Sequence, residues 1–347
     1  MKRYLGSLFA TVFLIFTSYA YSTVNIKTGV NISWSDNVFN LSDSDKEKFE
    51  EGNNKFDFIE TSDDLKPEIY FDAEYKFDKK SPFRCFSPFG GISYVAYAKN
   101  TDKSKFSSDI GLKWEKRKLS LAVSYAYNPK IYTRNYIDKD GSGKSEKYEY
   151  EKNIYDFKCE YRILKNDYLI GGINFQQEYY NKYFTEYDGN ALTYKIGWKH
   201  SFPLLYLKFI YNLKVFDCDK FDEKFAAENN IDNQKDSSYE SNKYVVALRM
   251  KKIKTGSFLQ IRPVLSCSFD QRFYQTDNLD IIHREREDNK VTTNISNTFY
   301  LSGKLSCKVF YKNVYRKTDS DFYEDISDIK DYSENEIGIN FEYKMKL

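Results

Sequence analysis

The run Asp138-Lys139-Asp140-Gly141-Ser142-Gly143-Lys144-Ser145-Glu146-Lys147-Tyr148-Glu149 has the spacing of a twelve-residue calcium loop. Side-chain oxygens fall at positions one, three, five, nine and twelve, and Gly143 stands at position six, where such loops turn sharply. Calcium takes six to eight oxygens, so Asp138, Asp140 and Ser142 with a bidentate Glu149 are the candidate metal ligands. Calcium is the one cofactor this chain suggests. Two features oppose it. Ser145 stands at position eight, where such loops carry an apolar residue, and the flanks alternate like strands. Asp, Gly and Ser also gather in hairpin turns for conformational reasons alone.

Other catalytic groupings are sparse. The two histidines, His200 and His283, fall in different connections, and Asp277 and Asp280 are the acids nearest His283 in sequence. No serine signature accompanies His283, and no Cys/His spacing suggests zinc. The chain is therefore read as a non-enzyme with no catalytic residues.

A third set is more extensive. Lys66, Lys113, Lys158, Arg162, Lys195, Lys208, Arg249, Arg262 and Lys308 each share the polar parity of a period-two stretch. Acids of the same parity include Glu68, Asp72, Glu74, Asp109, Asp156, Glu160 and Glu178. If these positions line a water-filled path, the basic residues concentrate anions. The other reading of the same positions is a polar interior cross-linked by ion pairs.

The elements that must position these residues are written in period two. Val24, Ile26, Thr28, Val30, Ile32 and Trp34 alternate with Asn25, Lys27, Gly29, Asn31 and Ser33. Ile337, Ile339, Phe341, Tyr343, Met345 and Leu347 alternate with Glu336, Gly338, Asn340, Glu342, Lys344 and Lys346. Successive strand residues face opposite sides, so each stretch has an apolar and a polar face. Fourteen such stretches are predicted, at about 23–35, 65–77, 86–98, 106–115, 118–131, 150–163, 168–180, 190–200, 204–216, 241–252, 257–273, 289–301, 304–316 and 334–347. Short turns and longer segments alternate between them, the longer ones at 36–64, 99–105, 132–149, 181–189, 217–240, 274–288 and 317–333. This is the pattern of an all-β, up-and-down antiparallel transmembrane barrel with short periplasmic turns and long extracellular loops.

Composition agrees. The 347 residues are 18% aromatic, yet the mean hydropathy is −0.69. Barrel strands are too short and too diluted by lumen residues to register as hydrophobic runs. The exception is the N-terminus. Lys2 and Arg3 precede an apolar core, Leu8 to Phe16, and small residues at Ser18, Ala20 and Ser22. Residues 1–22 read as a secretory signal and 23–347 as the barrel. An exported barrel belongs in a bacterial outer membrane. Trp34, Trp114 and Trp198 fall at strand ends, where aromatic girdles sit. Cys159, Cys267 and Cys307 share lipid-facing parity, whereas Cys218 is expected in a loop.

The acidic outer loops, with Asp36, Asp43, Asp45, Glu47 and Glu50 in the first, are expected to be solvated and suited to bridge cations to lipopolysaccharide. The remaining expected partners are outer-membrane lipid, the barrel-assembly machinery and small solutes, with no nucleic acid.

The closing segment, Tyr332-Ser333-Glu334-Asn335 and then Ile337-Gly338-Ile339-Asn340-Phe341-Glu342-Tyr343, resembles the last hairpin of porin-like outer-membrane barrels. It also resembles the barrel domains of surface-export systems. Both resemblances imply the barrel fold. The first implies a channel for small hydrophilic solutes, which the inward lysines and arginines would bias toward anions, and the second a translocation barrel. A structural or adhesive barrel with a closed lumen is the third expectation. Leu347 departs from the terminal Phe usual in those families.

Overall fold

The computed structural model describes residues 22–138, 142–219, 236–255, 259–275 and 282–347. The signal segment, apart from Ser22, lies outside them, as do Asp140, Asp277 and Asp280.

Fourteen long strands form one closed antiparallel barrel. They are β1 (Thr23–Ser35), β2 (Asp64–Lys76), β3 (Phe86–Val95), β4 (Lys105–Lys116), β5 (Leu119–Ile137), β6 (Ser145–Arg162) and β7 (Asp167–Tyr180). The second half holds β8 (Gly189–Ser201), β9 (Leu205–Cys218), β10 (Tyr239–Met250), β12 (Leu259–Tyr274), β13 (Arg286–Tyr300), β14 (Leu305–Ser320) and β15 (Tyr332–Lys346). A three-residue stub, β11 (Ile253–Thr255), extends the hairpin into β12. Each strand pairs with its chain neighbours, and β1 closes the cylinder on β15, with Val30 opposite Phe341. Closure leaves no free edge, the condition for crossing lipid with strands.

The alternation decides which way each strand faces. Ile32, Ile69, Ile92, Val123, Ile196, Ile295 and Ile337 are exposed on the outside of the cylinder. Their polar neighbours of the other parity face the interior. Trp34 and Trp198 mark opposite ends of this apolar band. Gly29 illustrates the inside constraint: a Cβ there would collide with the Tyr70 ring, which lies across it. Tyr70 thereby reaches Asn340 at 3.3 Å.

The sheet runs further than the alternation predicts. Residues 132–137 and 145–149, expected in a long loop, continue the β5–β6 ladder past two irregularities, with Tyr132 opposite Glu149. The connection shrinks to 138–144. Cys218, expected in a loop, instead ends β9 and is buried, its thiol 3.2 Å from Asp236 Oδ1.

Among the described residues, the largest cluster of buried apolar side chains belongs to a loop. The first long loop, 36–63, buries Val38, Phe39, Leu41, Phe56 and Ile59 against Tyr132 of β5. It holds helix α1 (Asp43–Glu50), whose N-cap Ser42 accepts the Asp45 N–H at 3.0 Å. Asp43 and Asp45 in the first turn suit the helix dipole. Asp45, expected to be solvated, is buried and pairs with Lys55 at 3.1 Å. The loop between β14 and β15 carries a short helix, α2 (Ile326–Lys330), which packs against α1.

Candidate pore and its outer constriction

The first loop crosses the outer mouth from β15 to β5. On the β15 side, Asn37 Nδ2 donates to the Ser333 carbonyl at 2.8 Å, and the Asn335 N–H donates to Asp36 Oδ1 at 2.7 Å. On the β5 side, Arg134 Nη2 donates to the Phe39 carbonyl at 2.9 Å and Nη1 lies 4.0 Å from Asp45. Lys103 donates to the Thr133 carbonyl at 3.1 Å and lies 4.4 Å from the Phe39 ring centroid. Burial, helped by Arg134 and Lys105, pulls Lys103 down to about 7. Lys330 at the end of α2 is likewise pulled to about 7 by burial and by Arg286, Arg134 and Arg316.

Beneath this lid lies a cavity of about 400 Å³, lined by Asn31, Lys66, Glu68, Tyr97, Lys105, Lys312, Glu334 and Glu336 among others. Its floor is an ion-pair network. Lys66 reaches Glu336 at 3.1 Å and Glu334 at 3.9 Å, and Lys312 reaches the same two at 3.2 and 3.7 Å. Ser33 and Ser35 each donate to one of these carboxylates at 2.8 Å.

The nine basic residues singled out from the sequence all keep inward parity, but they are not spread evenly. Lys66 sits at the outer end of β2 and Lys195 midway along β8. Lys113, Lys158, Arg162, Lys208, Arg249, Arg262 and Lys308 lie within a few residues of the short-turn ends. Lys66 belongs to the network above. Lys113 pairs with Glu115 at 2.7 Å and Lys158 with Asp156 at 2.8 Å. Among the described residues, Arg162, Lys195, Lys208 and Arg249 have no carboxylate within ion-pair distance. Lys208 lies in the field of Lys195, Lys199 and Lys158, with Glu160 opposing. Arg262 and Lys308 stack instead, 5.1 Å from the Tyr300 centroid and 5.3 Å from that of Phe310.

Register exposes a transverse asymmetry. Inward positions of β8 to β14 carry Lys195, Lys199, Lys208, Lys214, Lys243, Arg249, Arg262, Arg272, Arg286, Lys290, Lys308, Lys312 and Arg316. The carboxylates facing in from those strands are Asp270 and Asp288. The opposite wall, β15 through β7, holds the acids: Glu334, Glu336, Glu342, Glu68, Asp72, Glu74, Asp109, Asp156, Glu160 and Glu178, interspersed with lysines. One wall is strongly cationic, and the other is mixed.

Of the cations nearest the outer mouth, Lys66 was singled out from the sequence, whereas Arg272, Arg286, Lys290, Arg316, Lys105 and Arg134 were not. Parity alone marks Arg272, Lys290, Arg316 and Lys105. The β5 irregularities hide Arg134.

Of the calcium-loop residues, Asp138, Ser142 and Glu149 are described. Asp138 caps the β5–β6 turn, accepting the Ser142 N–H at 2.6 Å. Ser145 lies opposite Ile137 and Glu149 opposite Tyr132. At ~3.3 Å per residue, Glu149 is roughly 13 Å further along the strand. Its carboxylate lies 3.3 Å from Lys130. The expectation that 132–149 is a loop is thus corrected by the ladder, which carries Glu149 into β6, and Asp140 lies outside the described residues. His200, at a short turn, contacts Asp167 at 2.7 Å, while His283, at the other end, stacks 5.0 Å from the Tyr274 centroid.

No family profile and no curated protein sequence matches this chain. Solved structures similar to it are outer-membrane proteins. Outer-membrane expressed OmpT of Vibrio cholerae is 7% identical, with 93% of this chain and 98% of that one covered at a TM-score of 0.46. The outer membrane channel DcaP of Acinetobacter baumannii is 11% identical over 95% and 99%, at 0.45. A bacterial polysaccharide outer membrane secretin is 7% identical over 92% and 98%, at 0.45. The barrel itself rests on the strand order and its closure.

Proposed function

We propose that this chain is an outer-membrane channel for small hydrophilic solutes that favours anions. The observation that supports it is the cationic wall from β8 to β14, with Asp270 and Asp288 as its opposing inward carboxylates. A low-dielectric cylinder focuses the field of such a wall, so anions are enriched along it. A fourteen-stranded cylinder is wider than the ~8-strand kind that side chains fill, which leaves an aqueous path below the lid.

The test is the reversal potential of single channels in a planar bilayer under a salt gradient. An anion-selective potential is expected, and Lys195→Glu with Lys208→Glu should shift it toward cation selectivity. Cation selectivity in the parent protein would overturn the anion preference. The packed first loop favours a second reading, a barrel whose mouth stays shut, and for that reading the same bilayer gives no steady current.

A further inference from the structure

The cationic wall contains one place where three positive groups converge instead of merely following one another. Arg272 of β12, Lys290 of β13 and Arg316 of β14 line a small cleft with Tyr332, Asp270 and Asp288. Lys290 and Arg316 are directly opposite each other in the β13–β14 register. Like charges so placed repel and cost stability.

Resident acids do not balance them. Asp288 is taken by Arg286, with two hydrogen bonds of 2.8 Å, and lies 3.8 Å from Arg316. Asp270 accepts from Ser241 at 2.6 Å, lies 3.9 Å from Lys243 and opposes Lys290 at longer range. Arg272 donates to the Tyr274 hydroxyl at 3.2 Å, and its guanidinium is stacked 4.0 Å from the Tyr239 centroid. Among the described residues, five cations, counting Arg286 and the Lys243 beside Asp270, thus face two carboxylates, which leaves an excess of positive charge for a visitor.

The cleft measures about 30 Å³. That is room for one compact group, more than the single water that a polar cavity must at least admit. A doubly charged oxyanion fits it better than two separated carboxylates do. Phosphate carries ~1.5–2 negative charges near neutrality and matches the fork of an arginine. Tyr332, whose ring centroid lies 5.0 Å from Arg316, offers a face to the rest of the solute.

We infer that Arg272, Lys290 and Arg316 form a binding station for a phosphate group, free or esterified to a sugar-sized solute. The inference rests on the channel reading for its biological use, but binding itself needs no open pore. It is therefore tested by titration calorimetry on the detergent-solubilised barrel, with inorganic phosphate, glucose 6-phosphate and glucose as the probes. Saturable binding of a phosphate probe, with none of glucose, is expected. Tighter binding of glucose 6-phosphate assigns the ester as the ligand, and equal affinities assign free phosphate. Lys290→Gln with Arg316→Gln should weaken binding by roughly tenfold or more, as loss of charge-assisted hydrogen bonds does. Lys290→Arg should retain it, and Lys165→Gln, in the exposed short turn between β6 and β7, should leave it unchanged. Failure of both phosphates to bind the folded parent, or binding unaltered by the double substitution, would overturn the station. Binding without any bilayer current would instead overturn the channel and leave the station standing.

Discussion

Leu41 is the least exposed apolar side chain of the first loop, at 0%. It belongs to a core that covers the mouth, so its truncation acts on the lid and not on the cylinder. Leu→Ala at such a site costs about 2–5 kcal/mol. Limited proteolysis should accordingly cut 36–63 faster in Leu41→Ala while the melting of the barrel is unchanged. A drop in barrel melting with no change in loop cleavage would show that the loop core is part of the barrel's own stability. At this scale the sequence is legible where one rule governs. Parity identifies Arg272, Lys290 and Arg316 as inward as surely as Lys66, because each sits in an unbroken alternation. It does not reach Arg134, which lies beyond the shifts between Asn128 and Ile131 and between Tyr132 and Arg134. Nor does it reveal that Asp45 is buried, since that depends on Lys55 and Arg134 meeting it in space.

The lid formed by the first loop and α2 is where pH should act. Lys103 and Lys330 both titrate near 7 in the packed mouth. Lys103 faces Arg134, Lys105, Lys66 and Glu334, and Lys330 faces Arg286, Arg134, Arg316 and Asp288. Released into water, each lysine regains an ordinary value near 10.4. The open state therefore binds more protons between about 7 and 10.4, and the closed state gains stability as pH rises through that window. Below about 7 both states are charged, and the cost of burying the charge is carried in full. Bilayer current, or cleavage of 36–63, is expected to be greater at pH 6 than at pH 9, and Lys103→Met should flatten the profile. A current that rises toward pH 9 would contradict the assignment. The strands themselves were legible because one period fixes both element and face. The lid was not, because its apolar residues, Val38, Phe39, Leu41, Phe56 and Ile59, follow no period and acquire meaning only against Tyr132. The extended β5–β6 ladder was missed for a related reason. Its residues 132–137 and 145–149 lie beyond two register shifts, where the single parity that marks a strand breaks, yet they pair because the hairpin below them is already aligned.

Across the whole cylinder, the two walls should contribute to selectivity with opposite signs. The β8–β14 wall holds cations such as Lys199 and Lys208, which face each other in register, with Lys199 also paired to Glu160 at 2.5 Å. The β15 wall holds Glu342, paired with Lys344 at 3.0 Å. Among the described residues Lys208 has no carboxylate partner, so Lys208→Gln takes a charge from a focusing wall and should lower the anion-to-cation permeability ratio. Glu342→Gln frees Lys344 and should raise that ratio. Because these charges act on a solute through water, both changes should shrink as the Debye length falls from ~10 Å at 0.1 M salt to ~3 Å at 1 M. Reversal potentials measured at the two ionic strengths separate this from a steric effect, since a substitution that merely reshapes the lumen changes conductance without that salt dependence. Shifts of the same sign from both walls would mean that the path does not run between them, and that the lysine and glutamate networks serve to hold the cylinder together.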